Sequence, residues 1–188
     1  MKVQTMLNGV DTYALLNTIS AIQEDTSIAN FKFRATNNWI DGALNSSQIK
    51  GFYGANQEDA SREKAFVFEN DEPPMLLGEN RGANPVEFLL HGLAGCITTT
   101  FVYHAAVKGI KLKSVKSTLE GDIDLRGLLA ISHPSDKIRS GYKQIRITFD
   151  VDSPAPKEVI KELLDFAKKN SPVGDSVANP VDLVVSLA

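Results

Sequence analysis

The chain has 188 residues, enough for one domain with a sizeable core, and sets 20 Lys and Arg against 23 Asp and Glu for a net charge of −3. Mixed signs without a basic cluster argue against nucleic acid as the main partner. A single cysteine, Cys96, excludes an intramolecular disulfide and a multi-cysteine metal site, and is compatible with the cytosol.

The N-terminus does not read as a secretory signal, because Asn8, Asp11 and Thr12 interrupt any apolar core. Val10, Ala14, Leu15, Ile19 and Ile22 recur at near-helical spacing, so Asn8–Glu24 is expected to be a helix capped by Asn8. Residues 1–28 are read as an N-terminal helical arm and residues 29–188 as the domain proper. Residues 31–35 alternate, with Phe31, Phe33 and Ala35 against Lys32 and Arg34, which predicts a half-buried strand. Trp39-Ile40 then leads into an Asp41-Gly42 turn. Residues 43–63 show no clear period and read as a loop with a short helix or ribbon near Ser46–Phe52. Ala65–Glu69 is a short strand, ended by Asp71-Glu72-Pro73-Pro74.

Asn84–Gly109 is the longest element. Asn84 is an N-cap type, Pro85 suits the first helical position, and Lys108-Gly109 supplies a last-turn cation and a C′ glycine. At 1.5 Å per residue the helix is about 36 Å long. It is apolar nearly all round, so it must be buried on most sides. Residues 88–107 are also of membrane-span length, but two histidines, three threonines and two glycines make a poor lipid-facing surface. The buried reading is preferred, and neither a membrane nor a nucleic acid is expected as a partner.

Beyond the helix, Val115, Ser117, Leu119, Gly121, Ile123 and Leu125 alternate with polar residues in a long amphipathic strand. Tyr142–Val151 repeats the pattern through Ile145, Ile147, Phe149 and Val151, and the two strands read as an antiparallel hairpin. Ser153-Pro154-Ala155-Pro156 opens a helix with Val159, Ile160, Leu163, Leu164 and Ala167 on its buried face. Asn179-Pro180 leads to a final strand, Val181–Leu187. The order α β β α β β α β points to an α+β fold.

The neighbours of Cys96 on a helix are Leu89, Gly92, Leu93, Thr99, Thr100 and Tyr103, an apolar wall with hydroxyls on one side. Thr99, Thr100 and Tyr103 are therefore candidates to line a substrate pocket. His91 and His104 do not converge with Cys96, so no metal site is expected, and no cofactor is called for. A buried free cysteine is usually inert. Reactivity needs a thiolate, and Cys96 lies about three turns into the helix, beyond the reach of its N-terminal dipole. A nearby cation must supply it, or the helix must restart at Gly92 and Gly95. Those glycines otherwise suit a close helix–helix crossing.

Asn84-Pro85-Val86-Glu87, Leu89-Leu90, Gly92, Ala94-Gly95-Cys96, Tyr103-His104-Ala105-Ala106 and Gly109-Ile110 resemble the cysteine helix of OsmC-like proteins, the osmotically induced and organic-hydroperoxide-resistance (Ohr) relatives. Trp39-Ile40-Asp41-Gly42, Gly51-Phe52-Tyr53-Gly54 and Gly82-Ala83-Asn84-Pro85 resemble one subgroup, and Ser171-Pro172-Val173 with Asn179-Pro180 falls at the family's second motif. The resemblance covers roughly residues 30–188. It implies an intertwined homodimer in which curved antiparallel sheets wrap two long central helices. It also implies a thiol peroxidase acting on organic hydroperoxides, a stress-response and antioxidant role. In that chemistry the helix cysteine becomes a sulfenic acid, a second cysteine closes a disulfide, and an external dithiol reduces it. Cys96 matches the attacking position, Glu87 the assisting glutamate and Arg34 the assisting arginine, with Arg81 as runner-up. On a straight helix, however, Glu87 and Cys96 point to opposite sides, about 13 Å apart along the axis. Glu87 serves that site only through a bend or from a partner chain; it equally suits a capping box with Asn84.

Ser171 stands where the resemblance places the second cysteine. A hydroxyl cannot condense with a sulfenic acid to form a disulfide. Three readings follow: a one-cysteine peroxidase served by an external thiol reductant, a catalytically silent dimer binding a small hydrophobic ligand, or a non-enzymatic dimer with Cys96 as plain core.

Overall fold

The computed structural model describes residues 6–131 and 133–187. They form two compact units, residues 11–89 and residues 6–10 with 90–187. The architecture is α+β with antiparallel sheets, as the sequence predicts.

The described residues open with a hairpin, β1 (Met6–Leu7) and β2 (Val10–Asp11), rather than a helix. Asn8 and Gly9 form its turn with φ of 54° and 77°, the left-handed pair that Asn-Gly adopts readily. Helix α1 (Thr12–Glu24) starts four residues later than expected, and its cap is Asp11, whose carboxylate accepts from the Ala14 N–H at 3.0 Å. The Asn8 amide is engaged elsewhere: it donates to the Ile110 carbonyl at 2.9 Å and accepts from the Leu112 N–H at 2.8 Å.

In the first unit the strand expected at 31–35 is reduced to one bridge, Lys32 to Tyr53. The sheet begins at β3 (Thr36–Asp41), turns tightly at Gly42 (φ 52°) and returns as β4 (Leu44–Ile49). The segment read as loop thus holds a sheet strand and a small hairpin, β5 (Phe52–Gly54) and β6 (Gln57–Asp59). Asn45, Ser46, Ser47 and Gln48 put polar side chains on both faces of β4, which hides the period-2 signal. β7 (Phe66–Asn70) completes an antiparallel sheet in the order β3-β4-β7. The following loop is tied by Asp71, which is buried; its carboxylate accepts from the backbone N–H groups of Glu72, Glu79 and Arg81 at 2.8–3.0 Å. These bonds, the Arg81 one foremost, hold Asp71 below the usual carboxylate range.

Helix α2 (Pro85–Val107) carries the chain from the first unit into the second. Its end is sealed at Gly109 (φ 71°), where the Gly109 and Ile110 N–H groups bond the carbonyls of Ala106 and Ala105. β8 (Ser114–Asp122), a short helix α3 (Leu125–Leu128) and β9 (Gln144–Asp152) follow. β8 and β9 pair antiparallel from Ser114↔Asp152 to Asp122↔Gln144, the expected hairpin, although β8 stops at Asp122 rather than running through Leu125, where Asp124 caps α3 instead. α4 (Lys157–Asn170) lays Leu163 and Ala167 onto Leu93, Ile97, Phe101 and Ala105 of α2, and Leu119, Ile147 and Phe149 of the ribbon pack against them. This is the second unit's core. A further helix, α5 (Pro172–Ala178), was not anticipated. The final strand expected at Val181–Leu187 is absent: the segment is exposed and has no ladder partner among the described residues.

Candidate functional site around Cys96

The buried stripe of α2 recurs every fourth residue, Leu93-Ile97-Phe101-Ala105, and fixes what its other residues can face. Cys96 lies at the edge of this stripe, half-buried and unpaired as a thiol. Thr100, one turn on, donates its hydroxyl to the Cys96 carbonyl at 2.9 Å, so that proton is committed to backbone rather than sulfur. Thr99 and Tyr103 are exposed on the side away from the core. The stripe that contains them, with His91 and Gly95, is open to solvent, so the helix is not buried all round within one chain. By length and composition α2 could cross a membrane, while its Leu93-to-Ala105 stripe packs into the core of the second unit.

His104 is half-buried with its ring edge-on to Phe166 at 4.3 Å between centroids. Burial first, and the Lys108 charge second, push its pKa down, so it is neutral at pH 7. Among the described residues no group of three or more His, Cys, Asp or Glu side chains is arranged to hold a metal.

Ser171 is fully buried and has a task of its own. It caps α5: its hydroxyl oxygen accepts from the Gly174 N–H at 3.1 Å, ahead of Pro172 at the first helical position. The Ser-Pro pair was a readable start signal; the helix was missed because it is only seven residues long. Beside α5 runs an open groove of about 630 Å³, floored by Leu93, Ile97, Ile145 and Ile147 and rimmed by Asp165 and Lys168. Ile97 is the residue next to Cys96, while Cys96 itself lies outside the lining.

The other candidates belong to the first unit. The Glu87 carboxylate accepts from the Asn84 N–H at 2.9 Å, and the Asn84 side chain accepts from the Val86 N–H at 2.9 Å, a reciprocal helix cap. The Asn84 side-chain amide also donates to Glu72. Burial, then the charges of Asp71 and Glu87, raise the Glu72 pKa. Arg34 makes a two-pronged bond to Glu58 at 2.7 and 2.9 Å on the exposed surface. Those bonds and the Glu58 charge hold its pKa up. Arg34 and Glu87 thus each have a partner other than one another. The Arg81 N–H is one of the three on Asp71.

A family model of OsmC-like proteins matches residues 78–186, more than half of the chain, including all of α2 and Ser171. The chain belongs to the OsmC-like family. A Mycoplasma genitalium relative named hydroperoxide reductase is 27% identical over 110 residues, 58% of this chain and 72% of that protein. The solved OsmC-like protein of Mycoplasma pneumoniae matches with a TM-score of 0.58 at 21% identity, over 79% of this chain and 89% of its own. An organic hydroperoxide resistance protein OsmC from Legionella pneumophila matches at 0.51 and 15% identity, over 80% and 92%. Both structures share the OsmC-like fold with this chain.

Proposed function

We propose that this OsmC-like protein is a one-cysteine thiol peroxidase that reduces organic hydroperoxides through Cys96, working as a homodimer with an external thiol reductant. The observation that carries the reading is a half-buried Cys96, the chain's single thiol, on the helix that the family model matches. The relative named hydroperoxide reductase supports the same chemistry. The Cys96 thiolate attacks the terminal peroxide oxygen, the O–O bond breaks, and the alkoxide leaves as an alcohol after taking a proton. The sulfur is now a sulfenic acid. A small thiol condenses with it, releasing water, and a second thiol frees Cys96 as the two reductant sulfurs join. Ser171 takes no part, because its oxygen is held in the α5 cap.

Arg34 is proposed as the cation that favours the thiolate and Glu87 as the assisting carboxylate, with Thr99, Thr100 and Tyr103 toward the substrate. To act so, Arg34 must exchange Glu58 and Glu87 must exchange the Asn84 N–H. A homodimer is supported by the open side of α2. A Cβ built on Gly92 or Gly95 meets nothing within 4 Å, so neither glycine is required by packing within one chain. A close-packed partner helix would require both.

The test is exposure of the full chain to an alkyl hydroperoxide, with intact-mass detection of a sulfenic acid on Cys96 and turnover measured with a small thiol. Oxidation that disappears in Cys96→Ser is expected. Unmodified Cys96 under mild peroxide, together with slow alkylation, would overturn the reading. A second reading, a catalytically silent dimer binding a small hydrophobic ligand, is favoured by the apolar-floored groove. It predicts thermal stabilisation by an apolar ligand with no oxidation of Cys96.

A further inference from the structure

The connection between β8 and β9 contains a patch that the chemistry of Cys96 does not use. Leu128, Leu129 and Ile131 fall within four residues and are 58%, 54% and 67% exposed. They are firmly presented. The Leu129 N–H bonds the Leu125 carbonyl at 2.9 Å, and the Ile131 N–H bonds the Arg126 carbonyl at 3.1 Å. Between them Ala130 turns the chain at φ 53°. Gly127 is packed against the return segment, where a Cβ would meet the Ser140 Cα at 2.7 Å.

The charge around this patch opposes that of the chain. Residues 124–143 hold four cations (Arg126, Lys137, Arg139, Lys143) and two acids (Asp124, Asp136), an excess of two positive charges in a chain of net −3. The rest of the molecule therefore carries −5. Arg126 and Lys143 both bond Asp124 at 2.8 Å, which draws two cations together, while Lys137 and Arg139 are exposed.

We infer that this turn docks on an anionic lipid surface, with Leu128, Leu129 and Ile131 entering the acyl boundary and Lys137 and Arg139 meeting the headgroups. Exposed aliphatic side chains need no complementary pocket in a fluid apolar phase, and basic residues near them in the chain are drawn to anionic lipid. A nucleic acid would use the cations but leave the three aliphatic side chains in water. This is a peripheral contact, not a span, and it runs against the expectation from sequence that no membrane is a partner. It stands apart from the peroxidase reading, since it is measured without peroxide.

The experiment is co-sedimentation of the full chain with phosphatidylcholine vesicles and with vesicles containing phosphatidylglycerol. Retention on the anionic vesicles alone is expected, lost on adding salt. It should fall by about tenfold in Leu128→Asp/Leu129→Asp and in Lys137→Glu/Arg139→Glu. Circular dichroism reports folding, and Ile131→Gln gives a milder version of the same loss where the aspartate pair unfolds. Equal recovery with and without anionic vesicles overturns the inference, as does retention that none of the variants changes. Self-association without lipid that Leu128→Asp/Leu129→Asp abolishes also overturns it, and assigns the turn to an interface between copies.

Discussion

The two units hold themselves together by different means. The second has a contiguous apolar core, Leu93, Ile97, Phe101 and Ala105 against Leu163 and Ala167. In the first, Leu44 is the buried hydrophobic residue of the described set, and β3 is exposed at every position. Its order comes from backbone ladders, from Phe31, Phe33 and Phe52 with ring centroids 5.4–6.2 Å apart, and from the three bonds on Asp71. Apolar burial scales with area and tolerates small shifts, whereas a carboxylate bound by three N–H groups depends on geometry. The first unit is thus the one that gains from a further surface to cover its exposed aromatic side chains.

The largest effect should come from Phe101→Ala in the second unit, a loss of about 3–5 kcal/mol in urea unfolding, because the ring is fully buried and packs at a tilt on Phe149. The matching change in the first unit, Leu44→Ala, should cost about 2–3 kcal/mol, toward the lower part of the range for buried leucines. A larger loss at Leu44 than at Phe101 would reverse the contrast drawn between the units. Asp71→Asn tests the alternative means of support. Its carboxylate has a lowered pKa, so its contribution is present above the unfolded value and lost as pH falls through the folded one. Thermal scans from pH 7 to pH 2 should show the wild type and Asp71→Asn converging at the acid end. Ser171→Ala should remove the α5 cap at a cost of about 1 kcal/mol in the same denaturation assay. The smallest change is expected from Glu72→Gln. The Glu72 pKa is raised, so ionisation in the fold is a cost that grows as pH rises through the carboxylate range. Glutamine keeps an acceptor for Asn84 and should stabilise slightly at pH 7 and not at pH 3; a destabilised variant at pH 7 would refute that account.

How legible the molecule was in its sequence depended on the same contrast. The second unit declared itself: Asn84-Pro85 and Lys108-Gly109 bracket α2 to within two residues, and the alternation in β8 and β9 gave their pairing, because one face of each strand packs on a core. The first unit was harder to read. β4, with Asn45, Ser46, Ser47 and Gln48, has no apolar period to detect. The second unit has its own exception in Asn8, which suits a helix cap by residue type but whose amide ties residues 110 and 112. Val181–Leu187 carries strand-forming residues but no ladder partner in the described chain, and hydrophobic composition alone cannot supply one. Of the candidate site, Cys96 was legible from its helix and family pattern. The caps at Ser171 and Glu87 were written in Ser-Pro and Asn-Pro-x-Glu, and Arg34 on Glu58 could not be foreseen because the partner lies 24 residues away.

The buried cap at Ser171 has a kinetic consequence. With an oxygen fixed at that position and no other sulfur than Cys96 among cysteines, no internal disulfide can end an oxidised state of the chain. The dwell time of an oxidised Cys96 would then be inversely proportional to the concentration of thiol outside the protein. The chain would behave as a timer read against its surroundings, long-lived where reductant is scarce and reset at once where it is plentiful.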